Sequence, residues 1–223
     1  MSTTTGSLHV GICYDLGQTF VEKLQSEFPN TRFTVAYTAE EQREIAPELD
    51  IIFGELHREV FMRASRLRWF HFIGIGFDAV LRAVPEFKQS DVIMTNARGT
   101  HVIPMSEYAI GMMLSLAHHL RESFDDQVTK SWRTDDYRGR ILELSGSTLG
   151  LLAFGDIGQA VAKLALAFDM EVYAVDLAPI ECPVGVNKVW PIDRLHDMLR
   201  LTDWLVITAP RTTSTEGLIS ASE

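Results

Sequence analysis

Short apolar runs alternate with polar breaks through the first hundred residues of the chain. Five of these runs have the character of buried strands, namely residues 8–14, 33–36, 51–53, 69–73 and 92–96. Residues 19–27 have the pattern of a helix between the first two runs. Strands that alternate with helices predict a parallel sheet covered by helices. Gly99 and Pro104 interrupt the pattern, so we expect a domain boundary near Gly99.

The longest apolar helix is predicted from about residue 105 to residue 120, before a polar span from 121 to 140. Apolar residues cover every side of this helix. One face carries Met105, Tyr108, Met112, Leu116 and Leu120, and the other faces carry Ala109, Ile110, Met113 and Leu114. A helix that is apolar all round needs burial. The sequence leaves open whether it lies between domains, between subunits or in an ordinary core.

The most specific local pattern lies between residues 149 and 168. An apolar run over 149–154 predicts a strand, and Gly155 and Gly158 predict a tight turn. Apolar residues then recur at the spacing of a helix that faces a sheet: Ile157, Val161, Leu164 and Phe168. Free backbone N–H groups at the start of such a helix bind a pyrophosphate, and glycine lets the diphosphate approach the chain. The sequence therefore predicts a dinucleotide-binding turn.

The match to the G-x-G-x-x-G pattern is incomplete, because Ala153 stands at the first glycine position. The next apolar run, 170–175, ends in Asp176, 18 residues after Gly158. That is where a carboxylate that binds the adenosine ribose is expected. Leu177 and Ala178 offer no cation for a 2′-phosphate, so NAD is favoured over NADP. The alternative is a strand, turn and helix that only pack together, with a solvated Asp176.

Three further elements follow Asp176. We predict a short strand over 186–190, a helix over 192–201 and a buried strand over 204–210. The fold class is thus α/β, and the second sheet is expected to have the doubly wound strand order 3-2-1-4. Its run 204–208 is then expected to form an apolar and exposed parallel edge.

Composition narrows the function classes. The chain has 223 residues, 46% of them hydrophobic, and a formal charge of −10, which argues against a nucleic-acid or membrane surface. The first seven residues lack the pattern of a secretory signal, so a cytoplasmic location is expected. Cys13 and Cys182 lie far apart without a metal-ligand pattern, and we expect neither a metal site nor a disulfide.

Motifs along the chain form an ordered series. The series runs through Gly74-Ile75-Gly76-Phe77-Asp78, Asn96-Ala97-Arg98-Gly99, Ser106-Glu107-Tyr108-Ala109, Trp132, residues 144–158, Phe168-Asp169-Met170, Asp176 and residues 203–210. It resembles the D-isomer-specific 2-hydroxyacid dehydrogenases from residue 8 onward. The resemblance implies a flavodoxin-like substrate domain over residues 1–98 and a Rossmann-like NAD-binding domain over residues 99–223, the latter incomplete.

The resemblance also implies binding residues. In such enzymes backbone amides at Ile75 and Gly76 hold the substrate acid, although a tight turn alone explains the glycines. The cofactor is expected along Gly155, Asp156, Ile157, Gly158, Asp176, Thr208, Ala209 and Pro210. Asp156 stands where many relatives carry Arg, and 208–210 alternatively only end a strand. Arg98 replaces a proline of the family pattern and is expected either to attract an acid or to be a solvated cation. His101 is expected near substrate or in a loop.

The implied reaction is hydride transfer at C2 of a small 2-hydroxy or 2-oxo acid, as in glyoxylate and hydroxypyruvate reductases. The family's Arg, Glu and His are expected beyond Glu223, so no catalytic residue is assigned within the chain. A truncated chain that is inactive alone is therefore expected. Relatives are commonly homodimers. The alternatives are a non-catalytic NAD(H)-binding dimerisation or corepressor-like module, and a degenerate remnant that binds nothing.

Overall fold

The computed structural model describes residues 7–178 and 180–223. It divides the chain into two compact units, Met1–Arg98 and Gly99–Glu223. The first six residues, which belong to the stretch where no secretory signal is expected, lie outside the described residues.

The first unit is a parallel sheet with helices. Its strands are β1 (His9–Cys13), β2 (Arg32–Val35), β3 (Ile51–Gly54), β4 (Trp69–Phe72) and β5 (Ile93–Asn96). Its α-helices are α1 (Gln18–Glu27), α2 (Ala39–Ile45), α3 (Arg58–Arg63) and α4 (Asp78–Ala83), with 3₁₀ turns at Ala46–Glu48 and Pro85–Gln89. The strand order β2-β1-β3-β4-β5 is the flavodoxin-like order.

Apolar side chains of the first sheet pack on both of its faces. Ile52 and Phe70 are fully buried in the larger cluster, together with Val60 of α3. On the other face Ile12 packs with Val21 of α1. Burial on both faces is the reason that these strands appear in the sequence as continuous apolar runs.

The second unit is a four-stranded parallel sheet. Its strands are β6 (Thr148–Leu152), β7 (Glu171–Asp176), β8 (Lys188–Pro191) and β9 (Trp204–Ile207). Its α-helices are α5 (Val102–Ala117), α6 (Leu120–Thr129), α7 (Thr134–Tyr137), α8 (Asp156–Ala167) and α9 (Leu195–Leu199), with a 3₁₀ turn at Ile192–Arg194. The order β8-β7-β6-β9 is the predicted 3-2-1-4 order. The α/β fold class with two parallel sheets is confirmed.

Several predicted boundaries were wrong. The strand predicted over 149–154 ends at Leu152, because Ala153 has a left-handed φ of 74° that no strand accommodates. The last strand ends at Ile207 rather than at residue 210. The long helix starts at Val102 and includes Pro104, since the first turn of a helix needs no N–H donor there. It ends before His119, whose φ is 51°.

One side of α5 belongs to the core of the second unit. Ile110, Met113 and Ala117 are buried with Leu149 and Val161. The opposite stripe of α5, which consists of Met105, Tyr108, Met112 and Leu116, continues to Leu120, and its side chains are between 37% and 66% exposed. A core role therefore accounts for half of this apolar helix, and the stripe is left at the surface.

The polar span 121–140 contains α7 and all of α6 except its first residue, and the sequence predicted neither helix. We call residues 119–140 the arm. Asp126 is buried and accepts hydrogen bonds from Arg133 and from the Tyr137 hydroxyl at 2.5 Å. These two bonds lower the pKa of Asp126. Glu122 accepts bonds from Arg140 at 2.6 Å and 3.0 Å, so charged bonds rather than an apolar core fix the arm's shape.

Strand β9 forms one edge of the second sheet. Trp204, Leu205 and Val206 are half-buried and Ile207 is 53% exposed, so the expected edge is exposed only in part. None of the helices in 7–178 and 180–223 combines the length and apolarity needed to cross a membrane. Over the same residues, no cluster of histidine, cysteine or acidic groups has the arrangement of a metal site.

His9 gives the first unit a pH dependence. Its ring is buried, with Nε2 2.8 Å from the Thr34 hydroxyl, and burial is the main cause that lowers its pKa. The unfolded chain takes up a proton near the ordinary value of about 6.5, whereas the folded protein does so only at lower pH. We therefore predict that the free energy of unfolding falls as pH drops below about 6.5.

Urea unfolding at pH 7.5 and at pH 5.5 measures this fall. The variant His9→Gln removes one titrating group, so its loss between the two pH values is expected to be smaller than that of the unsubstituted protein. Some loss remains, because burial also lowers the pKa of His71. Equal losses in both proteins would show that His9 makes no contribution.

Candidate functional site

The chain turns sharply between β6 and α8. Ala153 takes a φ of 74°, whereas Gly155 has an ordinary φ of −73° and serves as the N-cap residue of α8. The position that needs a glycine for its backbone conformation is therefore 153, where this chain carries alanine. The turn keeps its shape at the cost of strain at one residue.

The two glycines of the turn have different physical roles. A Cβ atom at Gly155 would meet nothing within 4 Å, so this part of the backbone borders open space. A Cβ atom at Gly158 would lie 2.6 Å from the Ala153 carbonyl oxygen, which is closer than packed atoms allow. Gly155 thus leaves the approach to the turn open, and Gly158 lets α8 pack against it.

The first turn of α8 presents backbone N–H groups without intrahelical acceptors. Asp156 is its first residue and is exposed, while Ile157 is half-buried in the core. A carboxylate in this position is favourable for the helix dipole. The same positive end of the helix attracts a phosphate.

Asp176 ends β7 next to this turn. Its Oδ2 accepts a hydrogen bond of 2.6 Å from the Phe154 N–H, and its Oδ1 accepts one of 3.0 Å from the Ala178 N–H. A carboxylate has about four acceptor positions, so each oxygen retains capacity for a hydroxyl donor. Two backbone bonds fix the orientation of the carboxylate, as a ribose diol requires. These residues fit the adenosine ribose and diphosphate of a dinucleotide.

The segment after β9 also lies at this edge of the sheet. The Thr208 hydroxyl donates to the Ala153 carbonyl at 2.9 Å. Ala209 is half-buried beside an apolar cluster, and Pro210 is exposed with its carbonyl accepting from the Thr215 hydroxyl at 2.7 Å. The structure therefore joins Thr208 directly to the turn.

A second group of predicted residues lies in the first unit. Ile75 and Gly76 form an exposed turn after β4. The Asn96 side chain at the end of β5 donates to the Ile75 carbonyl at 2.7 Å, and the Ala97 N–H donates to the Gly74 carbonyl at 3.1 Å. These bonds bring the turn close to the segment that carries Arg98, which is exposed.

Sequence reasoning did not assign roles to two amide side chains of these sites. Asn96 supports the turn of the first unit, and Gln159 Nε2 donates to the Phe154 carbonyl at 3.1 Å. The local sequence does not indicate either bond. The bond of Asn96 joins two different strand ends, and the bond of Gln159 depends on how the chain reverses in the turn. His101 is exposed and occupies the N-cap position of α5, where its side chain makes no capping hydrogen bond; its ring lies 2.8 Å from the Thr100 hydroxyl.

Comparison with known proteins agrees with this geometry. The family model described as "D-isomer specific 2-hydroxyacid dehydrogenase, NAD binding domain" matches residues 110–223. A hydroxypyruvate reductase of Thermotoga maritima is 30% identical over 185 residues, which are 81% of this chain and 58% of that protein. The chain thus spans little more than half of this relative's length.

Solved structures share the fold. A D-isomer specific 2-hydroxyacid dehydrogenase family protein from Aeromonas salmonicida superposes with a TM-score of 0.83 at 26% identity, over 94% of this chain and 66% of that one. A D-lactate dehydrogenase from Aquifex aeolicus, described as complexed with NAD and lactic acid, gives a TM-score of 0.75 at 22% identity, over 93% of this chain and 62% of that one.

The two parallel sheets and the glycine turn define a dinucleotide-binding α/β protein. The chain belongs to the D-isomer specific 2-hydroxyacid dehydrogenase family, and residues 110–223 are the NAD-binding domain of that family.

The strain at Ala153 leads to a prediction. A left-handed alanine is disfavoured by about 1–2 kcal/mol in the folded state. Glycine removes this strain, but it also makes the unfolded chain more flexible, which offsets part of the gain in stability. Ala153→Gly is therefore expected to raise the free energy of unfolding by about 0.5–1 kcal/mol. Chemical denaturation of the apo protein measures this change.

The matched control is Ala160→Gly within α8, where the backbone is helical. This variant is expected to lose about 1 kcal/mol, the ordinary cost of glycine in a helix. If both variants lost stability alike, Ala153 would not be strained.

Proposed function

We propose that the second unit binds NAD(H) in the open space beside Gly155, with Asp176 accepting from the adenosine ribose hydroxyls. The observation that carries this proposal is the carboxylate of Asp176, which two backbone N–H groups hold beside the turn. The diphosphate would lie against the N–H groups of Gly155, Asp156, Ile157 and Gly158. Thr208, Ala209 and Pro210 would line the same edge.

We further propose that this protein is an oxidoreductase for a small 2-hydroxy or 2-oxo acid. Bound NAD would accept a hydride from C2 of a 2-hydroxy acid, and bound NADH would donate one to C2 of a 2-oxo acid. The backbone N–H groups of Ile75 and Gly76 would bind the substrate carboxylate, and Arg98 would add a positive charge. The names of the Thermotoga maritima and Aquifex aeolicus proteins support a small acid of this kind.

The same NAD site is compatible with a non-catalytic NAD(H)-binding module that forms dimers. The exposed stripe of α5 offers the association surface that this second candidate needs, and it would serve a dimeric enzyme equally well. Turnover of NADH with glyoxylate or hydroxypyruvate by a longer family protein containing this chain separates the two functions. Binding without turnover there would favour the module. The inactivity of residues 1–223 alone and their cytoplasmic location stay predictions.

Cofactor selectivity tests the NAD proposal. The charge of Asp176 repels a 2′-phosphate, so we predict that NADH binds at least about ten-fold more tightly than NADPH. Asp176→Asn removes the charge and is expected to weaken NADH binding and to bring the two dissociation constants close together. Fluorescence titration of both nucleotides measures the ratio.

Asp203→Asn is the matched control. Asp203 also accepts a backbone hydrogen bond, from the Thr148 N–H at 2.8 Å, but it lies before β9, at the opposite end of the sheet from Asp176. Its substitution should leave the nucleotide ratio unchanged. Failure of the unsubstituted chain to bind either nucleotide would contradict the proposed site.

We also propose a homodimer in which the exposed stripe of α5 packs against a second copy. The arm adds Phe124, Val128 and Trp132, which are 63%, 83% and 89% exposed. Exposed apolar side chains that follow one another on a helix and its neighbouring arm are typical of an association surface. A two-fold dimer is the most common closed arrangement for such a self-complementary patch.

Leu116→Glu tests the dimer, because it introduces a charge into the middle of the stripe. We predict that light scattering gives a dimer mass for the unsubstituted chain and a monomer mass for the variant. Met62→Glu is the control, since Met62 is equally exposed on α3 in the other unit and should not change the mass. A monomeric unsubstituted chain at micromolar concentration would refute the interface.

A further inference from the structure

The peptide that joins Ala153 to Phe154 is held at both of its polar ends. Its carbonyl oxygen accepts from the Thr208 hydroxyl at 2.9 Å, and its N–H donates to Asp176 Oδ2 at 2.6 Å. Thr208 follows β9 and Asp176 ends β7, and these are the two strands that flank β6 in the sheet. The end of the central strand is therefore clamped from both sides.

This clamp acts on the one strained residue of the turn. With a φ of 74°, Ala153 has a conformation that alanine rarely adopts without external support. Its own N–H donates to the Val175 carbonyl at 2.9 Å, so its backbone is fixed before and after the strained torsion. A glycine at this position would adopt the same conformation without such support.

Gly158 makes room for the same bond. A Cβ atom there would lie 2.6 Å from the Ala153 carbonyl oxygen and 3.1 Å from the Thr208 hydroxyl oxygen. A side chain at 158 would displace one of the two bonded atoms. The Thr208 hydroxyl and the Ala153 carbonyl therefore occupy the space that a side chain at position 158 would need.

We propose that Thr208 is a positioning residue of the NAD site rather than a residue that contacts the dinucleotide. Its hydroxyl holds the Ala153–Phe154 peptide and thereby keeps Ala153 left-handed. This orientation sets the direction in which the following N–H groups face the diphosphate, and it places the Phe154 N–H on Asp176. The inference rests on the proposed NAD site. It assigns Thr208 an indirect effect on the dinucleotide, through the conformation of the turn, in place of a direct contact.

A double-mutant cycle between Thr208→Val and Ala153→Gly tests this role. Valine keeps the shape of threonine and loses only the hydroxyl. In the unsubstituted background, Thr208→Val is expected to weaken NADH binding about five-fold, the usual effect of one lost hydrogen bond. In the Ala153→Gly background, where the turn needs no support, the loss is expected to be about two-fold or less.

The same cycle has a readout that needs no nucleotide. Thr208→Val is expected to lower the melting temperature of the apo protein by about 3 °C, and by a clearly smaller amount in the Ala153→Gly background. Thr202→Val is the control. It removes a hydroxyl that donates to the Met198 carbonyl at 2.9 Å in the same unit, and its effect should be the same in both backgrounds.

The outcomes are distinct. An equal loss of NADH affinity in both backgrounds would overturn the proposal and show that Thr208 contacts the dinucleotide itself. A lower melting temperature with unchanged NADH affinity would also overturn it, because Thr208 would then be only structural. If no variant binds NADH, the proposed function fails, and equal melting shifts in the two backgrounds would refute the clamp separately.

Discussion

The second unit depends on the way in which the chain leaves the end of β6. A parallel strand must finish, reverse its course and start a helix whose free N–H groups face the edge of the sheet. Residues 153–155 make this turn between β6 and α8, and one of them, Ala153, has a strained backbone conformation. Hydrogen bonds from both neighbouring strands hold that residue in place, so the local conformation of the turn is a property of the assembled sheet.

Helix α5 satisfies two demands at once. Its inner residues complete the core around β6 and α8, while its outer stripe stays apolar and exposed. Neither demand alone explains why the helix is apolar on every side. A helix that packs on one side of a core needs only one apolar face. The second face is the surface on which we propose that a second copy packs.

The sequence predicted the presence and order of most strands, because burial on both faces leaves a readable apolar run. Their ends were harder, since they are set by single backbone torsions such as those at Ala153 and His119, which hydrophobicity does not record. The arm was missed because Arg133 and Asp126, not apolar spacing, hold it. In the site, the spacing of Asp176 was readable, whereas the bonds of Thr208 and Asn96 depend on long-range contacts between side chain and backbone.

The internal bonding of the arm has a consequence for recognition. Asp126 and Glu122 draw Arg133 and Arg140 back onto the arm's own helices, so the shape that carries Trp132 exists before any encounter. In the proposed dimer this surface would dock as a rigid body, and little conformational entropy would be lost. The rate of association would then be limited by mutual orientation rather than by the ordering of a loop.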